Sequence, residues 1–260
     1  MQNDLLTVLF IGDVIGKPGR EAAVRFLKAA NADFKIVNGE NIAGGLGITP
    51  GLADELLAAG IDAITTGNHV WKKKEIIPYL MGEQRVIRPL NYPEGTPGFG
   101  FTLLTKNGKQ LYVANIEGRT FMNPLLCPFR SMEEFLASKK EGIPVIVDFH
   151  AEATSEKIAM GWFLDGKVTA VLGTHTHTPT ADARVLPRGT AFVTDVGMTG
   201  PYDSVLGMKK DAAIRRLLTG TPHKYEVASN DVRLCGVVVK ADPETGRALS
   251  MEHIVYPPFG

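Results

Sequence analysis

The sequence predicts an α/β fold built on a parallel, crossover-connected sheet. Two observations predict it. Short apolar runs alternate with segments of helical period, the order that strand-crossover-strand units require. Each run also ends in polar residues, and open α/β sheets place their ligands beyond the carboxyl ends of their strands.

The elements follow in order. Residues 5–11 are apolar almost without interruption and read as a fully buried strand. A helix is expected over 20–30, with Ala23, Phe26, Leu27 and Ala30 on one face. The glycines and Lys17 between them lack the spacing of a phosphate-binding loop. Residues 34–37 form the second strand, followed by Asn38-Gly39-Glu40-Asn41 and a Gly-rich stretch over 43–47. Thr49-Pro50 opens a helix in the favoured order of cap and proline, Leu52, Leu56 and Leu57 give it a buried face, and Gly60 stops it. The third strand, 61–66, runs into Gly67-Asn68-His69, and a helix is expected over 72–80.

Residues 99–105 and 110–116 flank Asn107-Gly108 and read as a hairpin with a primed turn. Residues 118–130 have no period and read as a loop overhanging the strand ends. Ser131-Met132-Glu133-Glu134 matches a capping box and opens a helix to about 140. Then come a buried strand, 144–150, ending in His150, a helix over 155–164, and a strand, 168–172, leading into Gly173-Thr174-His175-Thr176-His177. The remainder is β-rich at 183–186, 190–194, 232–240 and 249–256, with one helix over 205–218.

At 260 residues the chain can bury a large core, and no repeat or linker divides it, so residues 1–260 are expected to form a single domain. Lys+Arg and Asp+Glu balance at 28 each, so the net charge gives no signal for nucleic acid or membrane, although a small nucleotide could bind locally. A homo-oligomer is compatible with this pattern. Cys127 and Cys235 form no Cys-x-x-Cys pair and suit a reducing compartment. Met1-Gln2-Asn3-Asp4 carries no basic segment, the run over 5–11 is too short for a signal peptide, and no run approaches membrane-spanning length. A cytoplasmic location is expected.

Asp13, Glu40, Asn41, Asn68, His69, His150, His175 and His177 all lie at or just past the end of an apolar strand. Singly, each reads equally as a cap, a turn or an exposed side chain. Together they mix carboxylate, amide and imidazole, which suits Mn, Fe or Zn better than Mg or Ca. The set exceeds the needs of one ion. Two ions sharing Glu40 would use it.

Gly12-Asp13, Asn38-Gly39-Glu40-Asn41, Gly67-Asn68-His69, His150 and Gly173-Thr174-His175-Thr176-His177 resemble, in this order, the motifs of the calcineurin-like metallophosphoesterase superfamily. The chain from Leu5 to about Pro257 resembles its YmdB-like branch. The resemblance implies a four-layer α/β/β/α sandwich and a centre of two divalent or trivalent transition-metal ions, Fe or Mn foremost and Zn as an alternative. It implies hydrolysis of 2′,3′-cyclic nucleotides and other phosphodiesters, with a regulatory role in bacterial development and biofilms. A nucleotide-binding regulator that uses the same centre with little turnover is the competing reading.

Carried over by motif, Asp13, Glu40, Asn41 and His177 would surround one ion, and Glu40, Asn68, His150 and His175 the other. His69 would be left to protonate the leaving alkoxide. The chain departs from the superfamily in two places. Its first motif, usually Asp-x-His, has Ile15 at the histidine position, with Asn41 in partial compensation, and Glu40 stands where the bridge is usually aspartate. His223 and His253 lie in no such context and read as ordinary.

Overall fold

Alternation along the strands sorts their side chains onto two faces, and both faces are buried. In β1 (Leu6–Ile11), Leu6, Val8 and Phe10 enter one core while Leu9 and Ile11 enter another. A strand buried on both faces needs a covering layer on each. The computed structural model describes residues 5–259, so the start Met1 to Asp4 lies outside the described residues.

After β1 come α1 (Gly16–Ala29), β2 (Phe34–Asn38), α2 (Pro50–Ala58), β3 (Ala63–Thr65), α3 (Ile76–Gly82) and β4 (Val86–Ile87). β1 to β4 pair in parallel in chain order. A second sheet is then built from β5 (Phe101–Lys106), β6 (Lys109–Glu117), α4 (Pro128–Ser138), β7 (Val145–His150), α5 (Thr154–Leu164), β8 (Ala170–Thr174), β9 (Arg184–Val185) and β10 (Ala191–Val193). Its strand order is β5-β6-β7-β8-β10-β9, parallel from β6 through β10. The chain returns to the first sheet through β11 (Gly200–Pro201), α6 (Lys210–Thr219), β12 (Val232–Ala241) and β13 (Ala248–Tyr256), with β12 antiparallel to β1.

The inner core joins the sheets: Phe10, Phe34, Ile36 and Val237 meet Val113, Ile146, Leu172 and Val193. Leu27, Leu56 and Leu80 of α1 to α3 cover the outer face of the first sheet. Met132 and Phe135 of α4 and Met160 and Leu164 of α5 cover the outer face of the second. The molecule is a four-layer α/β/β/α sandwich, as the resemblance implies. No helix among the described residues is long and apolar enough to cross a membrane.

Asn107 and Gly108 both take positive φ, 51° and 77°, as a primed turn requires. Four helices start elsewhere than the sequence suggests. α1 begins at Gly16 rather than at 20. α3 begins at Ile76 rather than at 72, which puts Pro78 in the first turn, where no intrahelical bond is lost. α4 begins at Pro128, whose fixed φ suits the first helical position, so Ser131 lies inside the helix and no capping box forms. α6 begins at Lys210, because Leu206 and Gly207 have positive φ of 51° and 92° that a right-handed helix excludes.

Candidate metal centre

On the inner face, four strands pass from apolar to polar towards their carboxyl ends. The sequences are Phe34-Ile36-Asn38 in β2, Val113-Asn115-Glu117 in β6, Ile146-Asp148-His150 in β7 and Leu172-Thr174 in β8, all buried. These ends meet between the sheets. Asp148 accepts hydrogen bonds from Thr65 Oγ1, from Asn38 Nδ2 at 2.9 Å and from Thr174 Oγ1 at 2.6 Å. Thr174 Oγ1 in turn accepts from His150 Nδ1 at 2.9 Å. That contact leaves Nε2 of His150 for the centre. Burial pushes the Asp148 carboxyl up to about 6 against the pull of these partners.

Glu40 sits at the middle of the sequence-predicted residues and is fully buried. Its Oε1 accepts from Asn41 Nδ2 at 2.9 Å and lies 3.3 Å from His150 Nε2 and 3.2 Å from His69 Nδ1. Its Oε2 accepts from the His69 backbone N–H at 3.1 Å. Asn68 Oδ1 and His175 Nδ1 lie 3.0 and 3.1 Å from His150 Nε2. The ligand atoms of Glu40, His150 and His175 fall within 4.8 Å of one another. On the other side, Asp13 Oδ1 is 3.7 Å from His177 Nε2 and Asp13 Oδ2 accepts from the His175 N–H at 3.0 Å. Asn41 reaches both sides, with Nδ2 3.4 Å from His177 Nε2 and Oδ1 2.8 Å from His69 Nδ1. Asn41 thus turns its amide nitrogen to Glu40 and His177, and holding an ion through oxygen requires a half-turn of that amide. Gly67 permits the close approach: a Cβ there would lie 2.3 Å from His150 Nε2 and 2.4 Å from Glu40 Oε2.

The loop carrying His175 and His177 is strained, with φ of 97° and 64° at these residues, a conformation that costs about 1–2 kcal/mol per non-glycine residue. Asp195 holds it. Its Oδ2 accepts from Thr176 N (3.1 Å) and Thr176 Oγ1 (2.6 Å), and pairs with Lys157 Nζ of α5 at 2.7 Å. Both partners of that pair are buried. Sequence reading missed Asp195, although it follows the apolar run 190–194 just as Asp13 follows 5–11. It also missed Glu152, whose Oε2 lies 3.1 Å from His175 Nε2. Glu152 N donates to Met122 Sδ, which ties the 118–127 loop to the centre. Ile15 is buried against Gly207, where a Cβ would lie 2.8 Å from its Cγ2. His253 Nε2 contacts the Val196 carbonyl at 2.9 Å and His223 Nε2 contacts Thr221 Oγ1 at 3.2 Å, partners that belong to no part of the centre.

A family model described as YmdB-like protein matches residues 9–254. The chain belongs to the YmdB-like family. It is 48% identical over 255 residues to a 2′,3′-cyclic-nucleotide 2′-phosphodiesterase of Bacillus subtilis strain 168, covering 96% of this chain and 97% of that protein. A solved structure of a hypothetical protein from Thermus thermophilus matches with a TM-score of 0.91 and 43% identity over 96% of this chain and 99% of its own. A novel phosphatase from Mycoplasma pneumoniae matches with a TM-score of 0.91 and 34% identity over 98% of this chain and 94% of its own.

The metallophosphoesterase fold of the YmdB-like family implies divalent metal ions, and the donors here fit them. Asp13 Oδ1 is buried without a hydrogen-bond partner. Each of three imidazoles turns one nitrogen inward and has the other held: His150 by Thr174, His175 by Glu152, His177 by the Leu206 carbonyl at 3.3 Å. Burial raises the Asp13 carboxyl. Burial would raise Glu40 too, but His150 and His69 hold it well below the usual carboxylate range. Burial disfavours a charged His150, yet Glu40 outweighs it and pushes the imidazole up to about 9. Burial and the His150 charge together push His175 down to about 3.

Without metal, His150 therefore carries a proton at neutral pH, and an ion bound there must displace it. Titrating metal into the metal-free protein at pH 7, in buffers of different ionisation enthalpy, should show release of about one proton per chain. Affinity should strengthen as pH rises through about 9, and level off above it, where His150 is neutral. Binding without proton release would place the ion away from His150.

Proposed function

We propose that this chain, a phosphoesterase by its family, opens 2′,3′-cyclic nucleotides at a two-metal centre with His69 as general acid. One observation carries the reading. Among the clustered histidines, His69 is tied to the ligand set through Nδ1 yet keeps 26% of its side chain exposed, whereas His150 keeps none. The name of the Bacillus subtilis relative, a 2′,3′-cyclic-nucleotide 2′-phosphodiesterase, supports the substrate class.

Asp13, Glu40, Asn41 and His177 would hold one ion, and Glu40, Asn68, His150 and His175 the second; the mixed donor set suits Mn, Fe or Zn, and the family resemblance puts Fe or Mn foremost. Such ions supply Lewis-acid stabilisation of charge on the phosphoryl oxygens and a nucleophile from water at neutral pH. The protein supplies the rest. Glu40 Oε1, 3.2 Å from Nδ1, fixes the His69 ring, which aims its other nitrogen outward to give a proton to the departing alkoxide. Ring opening keeps that alkoxide tethered to the substrate, so proton delivery gains from proximity. The cysteines Cys127 and Cys235 are free thiols, which supports a cytoplasmic setting.

The test is a side-by-side kcat/KM comparison of 2′,3′-cyclic AMP, 3′,5′-cyclic AMP and 3′-AMP with metal-loaded enzyme. The 2′,3′ ring should open fastest. Faster phosphate release from 3′-AMP would make the protein a phosphomonoesterase. Tight binding of the cyclic nucleotide without turnover would make it a regulator.

A further inference from the structure

A cavity of about 330 Å³ adjoins the centre, with His177, Pro179, Met198, Tyr202, Leu206 and Phe259 among its walls. We propose that it holds the nucleobase of the substrate. This inference rests on the reading that the substrate is a cyclic nucleotide.

His177 is the shared wall. Its Nε2 looks to Asp13 and Asn41, while its Nδ1 faces the carbonyl of the cavity residue Leu206 at 3.3 Å. The Asn41 amide lies between His177 and His69, contacting the two rings at 3.4 and 2.8 Å. The proposed proton donor and the cavity therefore flank the same edge of the centre. In a 2′,3′-cyclic nucleotide the 2′-oxygen and the base sit on adjacent ribose carbons. A 2′-oxygen leaving towards His69 keeps the base, one carbon away, at this same edge of the centre.

The walls suit a flat aromatic ligand. Tyr202 and Phe259 pack edge to face with centroids 5.1 Å apart. Tyr202 is fixed by donating to the Met198 carbonyl at 3.0 Å. Phe259 belongs to a terminal segment that Arg233 pins: the guanidinium lies 4.5 Å from the ring centroid and donates to the carbonyls of Pro257 and Pro258. Even so, Phe259 stays 50% exposed and Leu206 51% exposed, apolar surface left open beside a polar centre. The volume is at the low end of ligand sites, roughly 300–1,000 Å³, which fits one base.

The polar groups of the cavity are largely spent on the protein itself. Ser204 Oγ already donates to the Pro201 carbonyl (2.6 Å) and accepts from Gly207 N (2.8 Å). Stacking without a hydrogen-bonding code is tolerant of sequence. The four 2′,3′-cyclic nucleotides should thus differ in kcat/KM by only a few-fold.

The test compares 2′,3′-cyclic AMP with a base-free analogue, the cyclic phosphate of ethylene glycol, in wild type, Phe259→Ala and Phe259→Trp. Removing a stacking ring costs about tenfold or more. The wild-type preference for the nucleotide, as a ratio of kcat/KM values, should fall about tenfold in Phe259→Ala through a raised KM. Phe259→Trp, which keeps a ring, should retain the preference. An unaltered ratio in Phe259→Ala would overturn the inference. If wild type hydrolyses bis(p-nitrophenyl) phosphate but no cyclic nucleotide, the substrate reading fails on its own. Saturation transfer from protein to adenosine then decides the cavity: transfer in wild type that is lost in Phe259→Ala upholds it, and no transfer overturns it.

Discussion

His69→Ala should lower kcat for 2′,3′-cyclic nucleotides by about a hundred- to ten-thousand-fold, the usual contribution of a positioned general acid. At saturating metal the content should stay at the wild-type level, because His69 lies outside the proposed ligand sets and touches Glu40 only as an outer-shell partner, whose loss costs about ten- to hundredfold in affinity. A ribose alkoxide is a poor leaving group and needs a proton as the bond breaks. Nitrophenolate does not, so the loss should shrink on bis(p-nitrophenyl) phosphate. An equal loss on both esters would show that His69 acts by shaping the centre and not by giving a proton.

Glu40→Gln should remove both ions together. Glu40 is fully buried and touches Asn41, His150 and His69, and it belongs to both of the proposed ligand groups. A carboxylate can offset charge from two cations, and a carboxamide cannot. The loss of metal affinity should exceed the roughly ten- to hundredfold typical of an outer-shell partner. The fold should persist, since the three apolar cores include no part of Glu40. A single ion lost, with the other retained, would assign Glu40 to one ion alone.

That Asp13, Glu40, Asn41, Asn68, His69, His150, His175 and His177 come together was legible because each lies at or just past the end of an apolar strand, a position that the sequence marks. Asn38, Asp148 and Thr174 were equally marked, by the alternation that leads Ile36, Ile146 and Leu172 into the inner core. They are visible only once the two faces of each strand are read separately. The Lys157–Asp195 clamp joins α5 to the end of β10, and no local pattern announces a pair so far apart in sequence. Two helix starts were misread beside prolines: Pro128 outranks the capping box at 131–134, and Pro78 falls in the first turn of α3, since a proline's missing N–H constrains where a helix can begin. The Arg233–Phe259 contact left no trace in periodicity, because the segment after β13 has none.

Metal content per chain, measured in wild type and Glu40→Gln purified alike, tests the central claim most directly. The bridged centre predicts two ions per chain in the active wild type and close to none in the variant. One ion per fully active chain, or two ions kept by Glu40→Gln, would contradict it.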